Sequence, residues 1–138
     1  MMLKRVFLSL VLLLPLIATA EVVVVVGADS RITNLSEAEL RQLFTGQLRA
    51  VEGERVQVLD LPQSDSARDD FYQKLLGRGP NQMRSYWARM IFTGQGQPPR
   101  EVSSVQEMRL LVGSSGNQIG YLPSSEVDDS VRVLFTLN

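Results

Sequence analysis

The five consecutive valines Val22-Val23-Val24-Val25-Val26, followed by Gly27, decide the fold class of this chain. Valine is β-branched and favours strands. An uninterrupted apolar run of this length is typical of a strand that is buried on both faces, as in a sheet covered by helices. The segment therefore predicts a sheet with helices packed against it.

Helical and extended patterns alternate downstream of the valine run. Two capping-box pairs, Ser36 with Glu39 and Ser104 with Glu107, mark helix starts, because each pair can exchange hydrogen bonds across the first turn. The other predicted elements are a strand over 55–61, helices from 64–66 to 77 and from Asn81 to 92, and strands over 119–122 and 131–137. Strict apolar alternation in the last strand predicts one buried face. The order β-α-β-α-α-α-β-β predicts a single α/β domain over residues 21–138, with a central mixed sheet flanked by helices.

The first 20 residues have the layout of a cleavable secretory signal. Lys4 and Arg5 precede an almost wholly apolar run over 6–17, and Ala18-Thr19-Ala20 is a small-x-small cleavage site. The run is short for a membrane span, which needs about 20 residues, although a membrane anchor is the alternative interpretation. We expect cleavage after Ala20 and a periplasmic chain over 21–138, whose net charge falls from -1 to -3 with the loss of Lys4 and Arg5.

The composition excludes several kinds of function. The chain has no Cys and no His, which removes disulfides, Cys/His metal sites, thiol nucleophiles and imidazole-dependent catalysis. Its 14 Lys and Arg against 15 Asp and Glu give no basic excess for nucleic-acid phosphates. Lys74, the only lysine after residue 20, has no serine one helical turn away, and the adjacent acids Asp69-Asp70 do not face each other on a helix. We therefore expect no enzyme activity, no metal, no cofactor and no nucleic-acid partner.

One junction has the residues of an anion site. The segment 63–68, Gln-Ser-Asp-Ser-Ala-Arg, runs from a predicted strand end into a predicted helix start, where free N–H groups and the positive helix end attract anions. Ser64 and Ser66 add hydroxyl donors, and Arg68 could clamp an oxyanion with its planar guanidinium. The alternative is structural: the serines and Asp65 cap the helix, and Arg68 pairs with a carboxylate. The candidate ligand-binding residues are Ser64, Ser66 and Arg68.

Four segments, in this order, resemble phosphate-type periplasmic substrate-binding proteins. They are Leu35–Gly46, similar to the family's ls-x-x-el-x-x-iF-x-G; Arg68–Phe71 with Leu75–Gly77, similar to R-x-x-F…vlG; Trp87–Pro99, similar to W-x-x-x-x-F-x-G-x-x-x-P; and Ile119–Leu122, similar to I-G-Y-v. The resemblance implies a secreted, non-enzymatic α/β binding domain of the type 2 periplasmic binding-protein kind. It further implies phosphate or another small oxyanion as ligand, and a transporter permease or another envelope protein as partner.

The chain departs from that family in two respects. Family members have two lobes that hold the ligand between them, whereas this chain has the length of one lobe. The family's Ser-Gly-Thr turn before the arginine is replaced here by Asp65-Ser66-Ala67. Two functions are therefore open. One is an oxyanion-binding protein that uses Ser64, Ser66 and Arg68; the other is a ligand-free lobe that docks on a membrane or sensor protein, or forms a homodimer that rebuilds a two-sided cleft.

Overall fold

The computed structural model describes residues 12–15 and 21–138 of the chain. The predicted secretory leader, apart from residues 12–15, lies outside the described residues. The strands are β1 (Val22–Gly27), β2 (Ala50–Val51), β3 (Glu54–Arg55), β4 (Gln57–Asp60), β5 (Arg100–Glu101), β6 (Gln118–Pro123) and β7 (Val131–Leu137). The helices are α1 (Glu37–Phe44), α2 (Ser66–Leu76), α3 (Pro80–Phe92) and α4 (Val105–Gly113), with a 3-10 turn over Ser124–Glu126.

The valine strand β1 lies inside a mixed sheet whose strand order is β5-β4-β6-β1-β7. It pairs antiparallel with β6 on one side and with β7 on the other. The remaining pairs, β4 with β5 and β4 with β6, are parallel. Every residue of β1 is buried, which confirms the prediction of a strand covered on both faces.

Helices pack on both faces of this sheet. Phe71 of α2 stacks on Tyr121 of β6, with 3.8 Å between the ring centroids. Gly120, the neighbouring residue of β6, leaves the space that Met108 and Val112 of α4 occupy. Because successive residues of a strand point to opposite faces, α2 and α4 cover different sides of the sheet. The predicted α/β fold with a central mixed sheet is therefore confirmed.

The helix starts follow the predicted caps in three of four cases. The side chains of Ser36, Asp65 and Ser104 each accept a hydrogen bond from a backbone N–H in the first turn of α1, α2 and α4. The prediction that the third helix begins at Asn81 is off by one residue. That helix begins at Pro80, whose fixed φ suits the first helical position, and the N–H of the preceding glycine donates to the Gln82 side chain at 2.9 Å.

Two strand predictions need correction. The predicted strand over 55–61 divides at Val56, where the chain leaves the β2–β3 hairpin and enters the main sheet as β4. In β7 the predicted alternation breaks, and Val133 is 41% exposed. The register shows the cause: Val24 pairs with Phe135 and Val25 with Val133, so Leu134 is an extra residue, a β-bulge.

The hydrophobic core of the described residues lies within residues 22–137. Because this core lies entirely within the segment Glu21–Asn138, we expect that segment to fold without residues 1–20. Within the described residues, no helix is long and apolar enough to cross a membrane.

Candidate functional site

A cleft of about 450 Å3 opens where β4 and β5 end, between the first turns of α2 and the side of α3. One wall is polar and carries both signs of charge: Asp60, Gln63, Arg68, Asp69, Arg84 and Glu101. The other wall is apolar and comes mainly from α3 and the loop after it: Met83, Trp87, Ile91, Pro98 and Pro99. A polar group beside an apolar surface is the usual composition of a small-molecule site.

Arg68 is the cation that α2 supplies to this cleft. Its side chain is 18% exposed, and its Nη1 donates to the carbonyl oxygen of Leu61 at 2.8 Å. Nη2 lies 3.6 Å from Oδ2 of Asp60, and Nη1 lies 3.7 Å from Oε2 of Glu101. The Arg68 guanidinium therefore already has two carboxylate neighbours. This agrees with the alternative interpretation of the sequence, in which Arg68 pairs with a carboxylate of the protein.

Asp60 is the buried carboxylate at the base of the cleft. It ends β4, directly after the fully buried Leu59. Its Oδ2 accepts a hydrogen bond from the Tyr72 hydroxyl at 2.5 Å, and its Oδ1 accepts one from the Tyr121 hydroxyl. The Tyr121 oxygen in turn accepts from the backbone N–H of Leu61 at 3.2 Å. The carboxylate is thus satisfied by two hydroxyls and one guanidinium, as a buried charge requires.

Burial controls the titration of this cluster. Loss of hydration raises the pKa of Asp60, and Arg68 together with the two tyrosine hydroxyls opposes that rise by favouring the charged form. Burial also raises the pKa of Tyr72 and of Tyr121 well above the ordinary value, and the negative charge of Asp60 adds to both shifts. Both hydroxyls therefore remain protonated donors over the physiological pH range.

The predicted anion site is brought together only in part. Arg68 lines the cleft, whereas Ser64 and Ser66 are exposed at the start of α2 and are not part of the cleft wall. The backbone donors of that start already bind carboxylates of the protein: Asp65 Oδ1 accepts from the N–H of residue 67 at 3.0 Å, and Glu101 Oε1 accepts from the N–H of residue 63 at 3.3 Å. An incoming anion would therefore compete with these carboxylates for the same donors.

Sequence reasoning missed the carboxylates that surround Arg68. The sequence around Asp60 could have indicated its role, because burying an acidic side chain between two leucines at the end of an apolar strand is costly unless the charge is paired. No local sequence feature indicates the role of Glu101, since its position depends on the parallel pairing of β5 with β4, which places Glu101 opposite Asp60. Among the described residues, no group of three or more acidic side chains is placed to hold a metal ion.

Solved structures with the same architecture carry phosphate-related names. The chain aligns with an ABC-type phosphate transport receptor from Vibrio cholerae at a TM-score of 0.65 and 19% identity. It aligns with a protein from Clostridium perfringens, solved with bound phosphate, at 0.64 and 18%, and with PstS from Borrelia burgdorferi at 0.58 and 15%. The chain has the fold of one part of phosphate substrate-binding proteins. The resemblance seen in the sequence is thereby confirmed at the level of the fold.

The match covers most of this chain and less than half of each of these three structures. It spans 83% of this chain in the first two alignments and 84% in the third, but only 45%, 44% and 48% of the respective structures. A scan against protein-family models gives no match, and neither does a search of curated proteins. The fold shared with phosphate receptors therefore corresponds to one part of those proteins.

Proposed function

We propose that the chain is a non-enzymatic, single-lobe solute-binding protein of the cell envelope, whose ligand is phosphate or another small oxyanion held beside Arg68. The observation that carries this proposal is the guanidinium of Arg68 in the cleft of a fold shared with phosphate receptors. On this proposal residues 1–20 are a leader cleaved after Ala20, residues 21–138 form one binding domain in the periplasm, and a transporter permease is the partner.

Arg68 is suited to this task because its guanidinium is held in place before any ligand arrives. Asp60 and the Leu61 carbonyl fix one side of the group, so little side-chain freedom is lost when an anion binds. A planar guanidinium can then offer two parallel N–H donors to an oxyanion. We propose Ser64 and Ser66, which are exposed at the same helix start, as secondary hydroxyl donors to the ligand.

Glu101 sets the affinity in this proposal, because its carboxylate occupies the place where an oxyanion would meet Arg68. Its side chain is 49% exposed, so it can move into solvent, whereas Asp60 is buried and stays. An oxyanion ligand must displace the Glu101 carboxylate and bind close to the negative charge of Asp60. Because the chain forms only half of a two-lobed cleft, the bound ligand also stays in contact with water. We therefore expect a dissociation constant of about 1 mM for phosphate, equivalent to about 4 kcal/mol of binding free energy.

Calorimetric titration of Glu21–Asn138 with phosphate tests the proposal. The wild-type protein should give saturable heat in the millimolar range, and Glu101→Gln should bind phosphate about tenfold more tightly, because the competing charge is gone. Glu126→Gln is the matched control. It removes a carboxylate that pairs with Arg109 away from the cleft, and it should leave the phosphate affinity unchanged.

Two further variants assign the donors. Arg68→Gln should abolish saturable heat, and circular dichroism should show that this variant is folded. The double variant Ser64→Ala with Ser66→Ala should weaken binding by less than about tenfold, because both hydroxyls are exposed and lose much of each contact with the anion to competing water. Absence of saturable heat in both the wild type and Glu101→Gln would overturn the oxyanion proposal and leave the docking alternative.

A further inference from the structure

The charged residues are unevenly distributed along the chain, although its net charge is close to zero. The segment 71–100 contains five cations, Lys74, Arg78, Arg84, Arg89 and Arg100. None of the chain's 15 Asp and Glu residues falls in this segment. The segment comprises most of α2, all of α3 and the loop that follows, so the positive charge is concentrated on one part of the fold. The net charge of the whole chain does not reveal this asymmetry.

The outer side of α3 combines positive charge with apolar side chains. Arg84 and Arg89 are exposed along the helix, and at its C-terminal end Phe92 is 92% exposed and Ile91 is 56% exposed. Arg49 lines the same shallow depression as Ile91, so a further cation lies next to the apolar end. We call Arg49, Arg84, Arg89, Ile91 and Phe92 the α3 face. Arg84 and Ile91 also line the cleft, so the α3 face borders the cleft mouth.

The arginines of the α3 face are not engaged by carboxylates of the protein. Within residues 12–15 and 21–138, the salt bridges formed by other arginines involve Arg31, Arg41, Arg68 and Arg109. Arg84 instead donates to the side chain of Asn81 at 3.2 Å, which leaves its charge uncompensated. Exposed cations beside an exposed aromatic ring are typical of a surface that meets an anionic partner.

We propose that the α3 face docks on an anionic lipid bilayer. Phe92 and Ile91 would enter the interfacial region, and the arginines would contact lipid phosphates, as in peripheral proteins with basic, apolar helices. A second copy of the chain fits less well, since a two-fold contact through this face would oppose like charges. An acidic protein would need a pocket for Phe92, whereas a bilayer accommodates a protruding ring without one. This inference does not depend on the oxyanion proposal.

Vesicle flotation tests the proposal with Glu21–Asn138, because residues 1–20 contain an apolar run that could bind vesicles on its own. The protein should float with vesicles made of equal parts phosphatidylcholine and phosphatidylglycerol, and not with phosphatidylcholine alone. Added salt should weaken the binding, since exposed charges are screened. The net charge of -3 expected for this segment opposes any unspecific attraction to anionic lipid.

Three variants separate the roles of the positive charge on the α3 face, of the apolar contact through Phe92, and of the net charge of the protein. Arg84→Glu with Arg89→Glu should weaken vesicle binding by at least about tenfold, and Phe92→Ser by about tenfold. Arg31→Glu with Arg55→Glu is the matched control, because it changes the net charge equally at exposed positions outside the α3 face. This control should bind within about twofold of the wild type.

Three outcomes would overturn the proposal. The first is no flotation of the wild type with anionic vesicles. The second is an equal loss of binding in the control pair, which would show that net charge alone matters. The third is concentration-dependent self-association that Phe92→Ser abolishes in the absence of vesicle binding, which would assign the α3 face to a second copy of the chain.

Discussion

Replacement of Tyr121 by phenylalanine tests the buried cluster with the loss of a single oxygen atom. The ring and its stack on Phe71 stay in place, so the change isolates the hydroxyl. That hydroxyl donates to Asp60 and accepts from the N–H of Leu61 at 3.2 Å. A hydrogen bond to a charged group contributes about 1.5–3 kcal/mol, and a neutral one about 1 kcal/mol. We therefore expect Tyr121→Phe to lower the free energy of unfolding by about 2.5–4 kcal/mol.

Urea denaturation followed by circular dichroism measures this loss, with Tyr86→Phe as the matched control. The Tyr86 hydroxyl donates to the backbone carbonyl of Thr45 at 2.6 Å in a partly buried position, and no carboxylate accepts from it. Its removal should lower the free energy of unfolding by about 1 kcal/mol. The urea dependence of the unfolding free energy should be the same in both variants, because neither exposes more surface on unfolding.

The dependence on pH makes the test stricter. The Tyr121 hydroxyl lowers the pKa of Asp60 by favouring its charged form, so the pKa of Asp60 should rise further in Tyr121→Phe. The destabilisation should be largest at a pH where Asp60 is charged, and it should shrink as the pH falls through the folded-state pKa of Asp60. A loss no greater than that of Tyr86→Phe, or one that does not change with pH, would refute the argument that Tyr121 stabilises a buried carboxylate.

Three more predictions concern the core and its titration. Gly27→Ala should lower the free energy of unfolding in urea by about 1–3 kcal/mol, because the new methyl would lie 2.9 Å from the backbone carbonyl oxygens of Val112 and Ser115. Phe71→Ala should lower it by about 3–5 kcal/mol by leaving a cavity under the sheet. Burial raises the folded-state pKa of Asp60 above its ordinary value of 3.8, so between these two pKa values the folded protein binds the proton more tightly than the unfolded chain. Stability should therefore increase as the pH falls through that window, and urea titrations at a series of pH values should show a flatter profile for Asp60→Asn.

Local sequence patterns predicted most of the fold because its main elements depend on local chemistry. The valine run favours a strand, and the serines at 36 and 104 cap the helices that follow them. The failures occur where pairing between distant segments decides the structure. The division at Val56 depends on its N–H donating to the carbonyl of Arg49, and the exposure of Val133 depends on a bulge opposite Val25. Alternation within one strand cannot reveal either.

The candidate site was predicted less completely for the same reason. Arg68 was identified because it follows a helix start in the sequence, but the groups that surround it come from four separate segments. Asp60, Tyr72, Glu101 and Tyr121 meet only after the sheet has formed. Sequence reasoning could therefore identify the cation, whereas the charge balance around it required the three-dimensional arrangement.

The position of β1 in the sheet has a consequence for the order of folding. Strand β1 precedes the other described strands in the sequence, yet both of its partners follow much later, since Val22 pairs with Pro123 and with Leu137. Contacts of this sequence separation carry a large loop-closure entropy and slow the folding reaction. The sheet cannot close until the last strand has emerged from the ribosome. Such a strand order leaves the sheet incomplete during synthesis, and an incomplete sheet would suit the export that we propose for this chain.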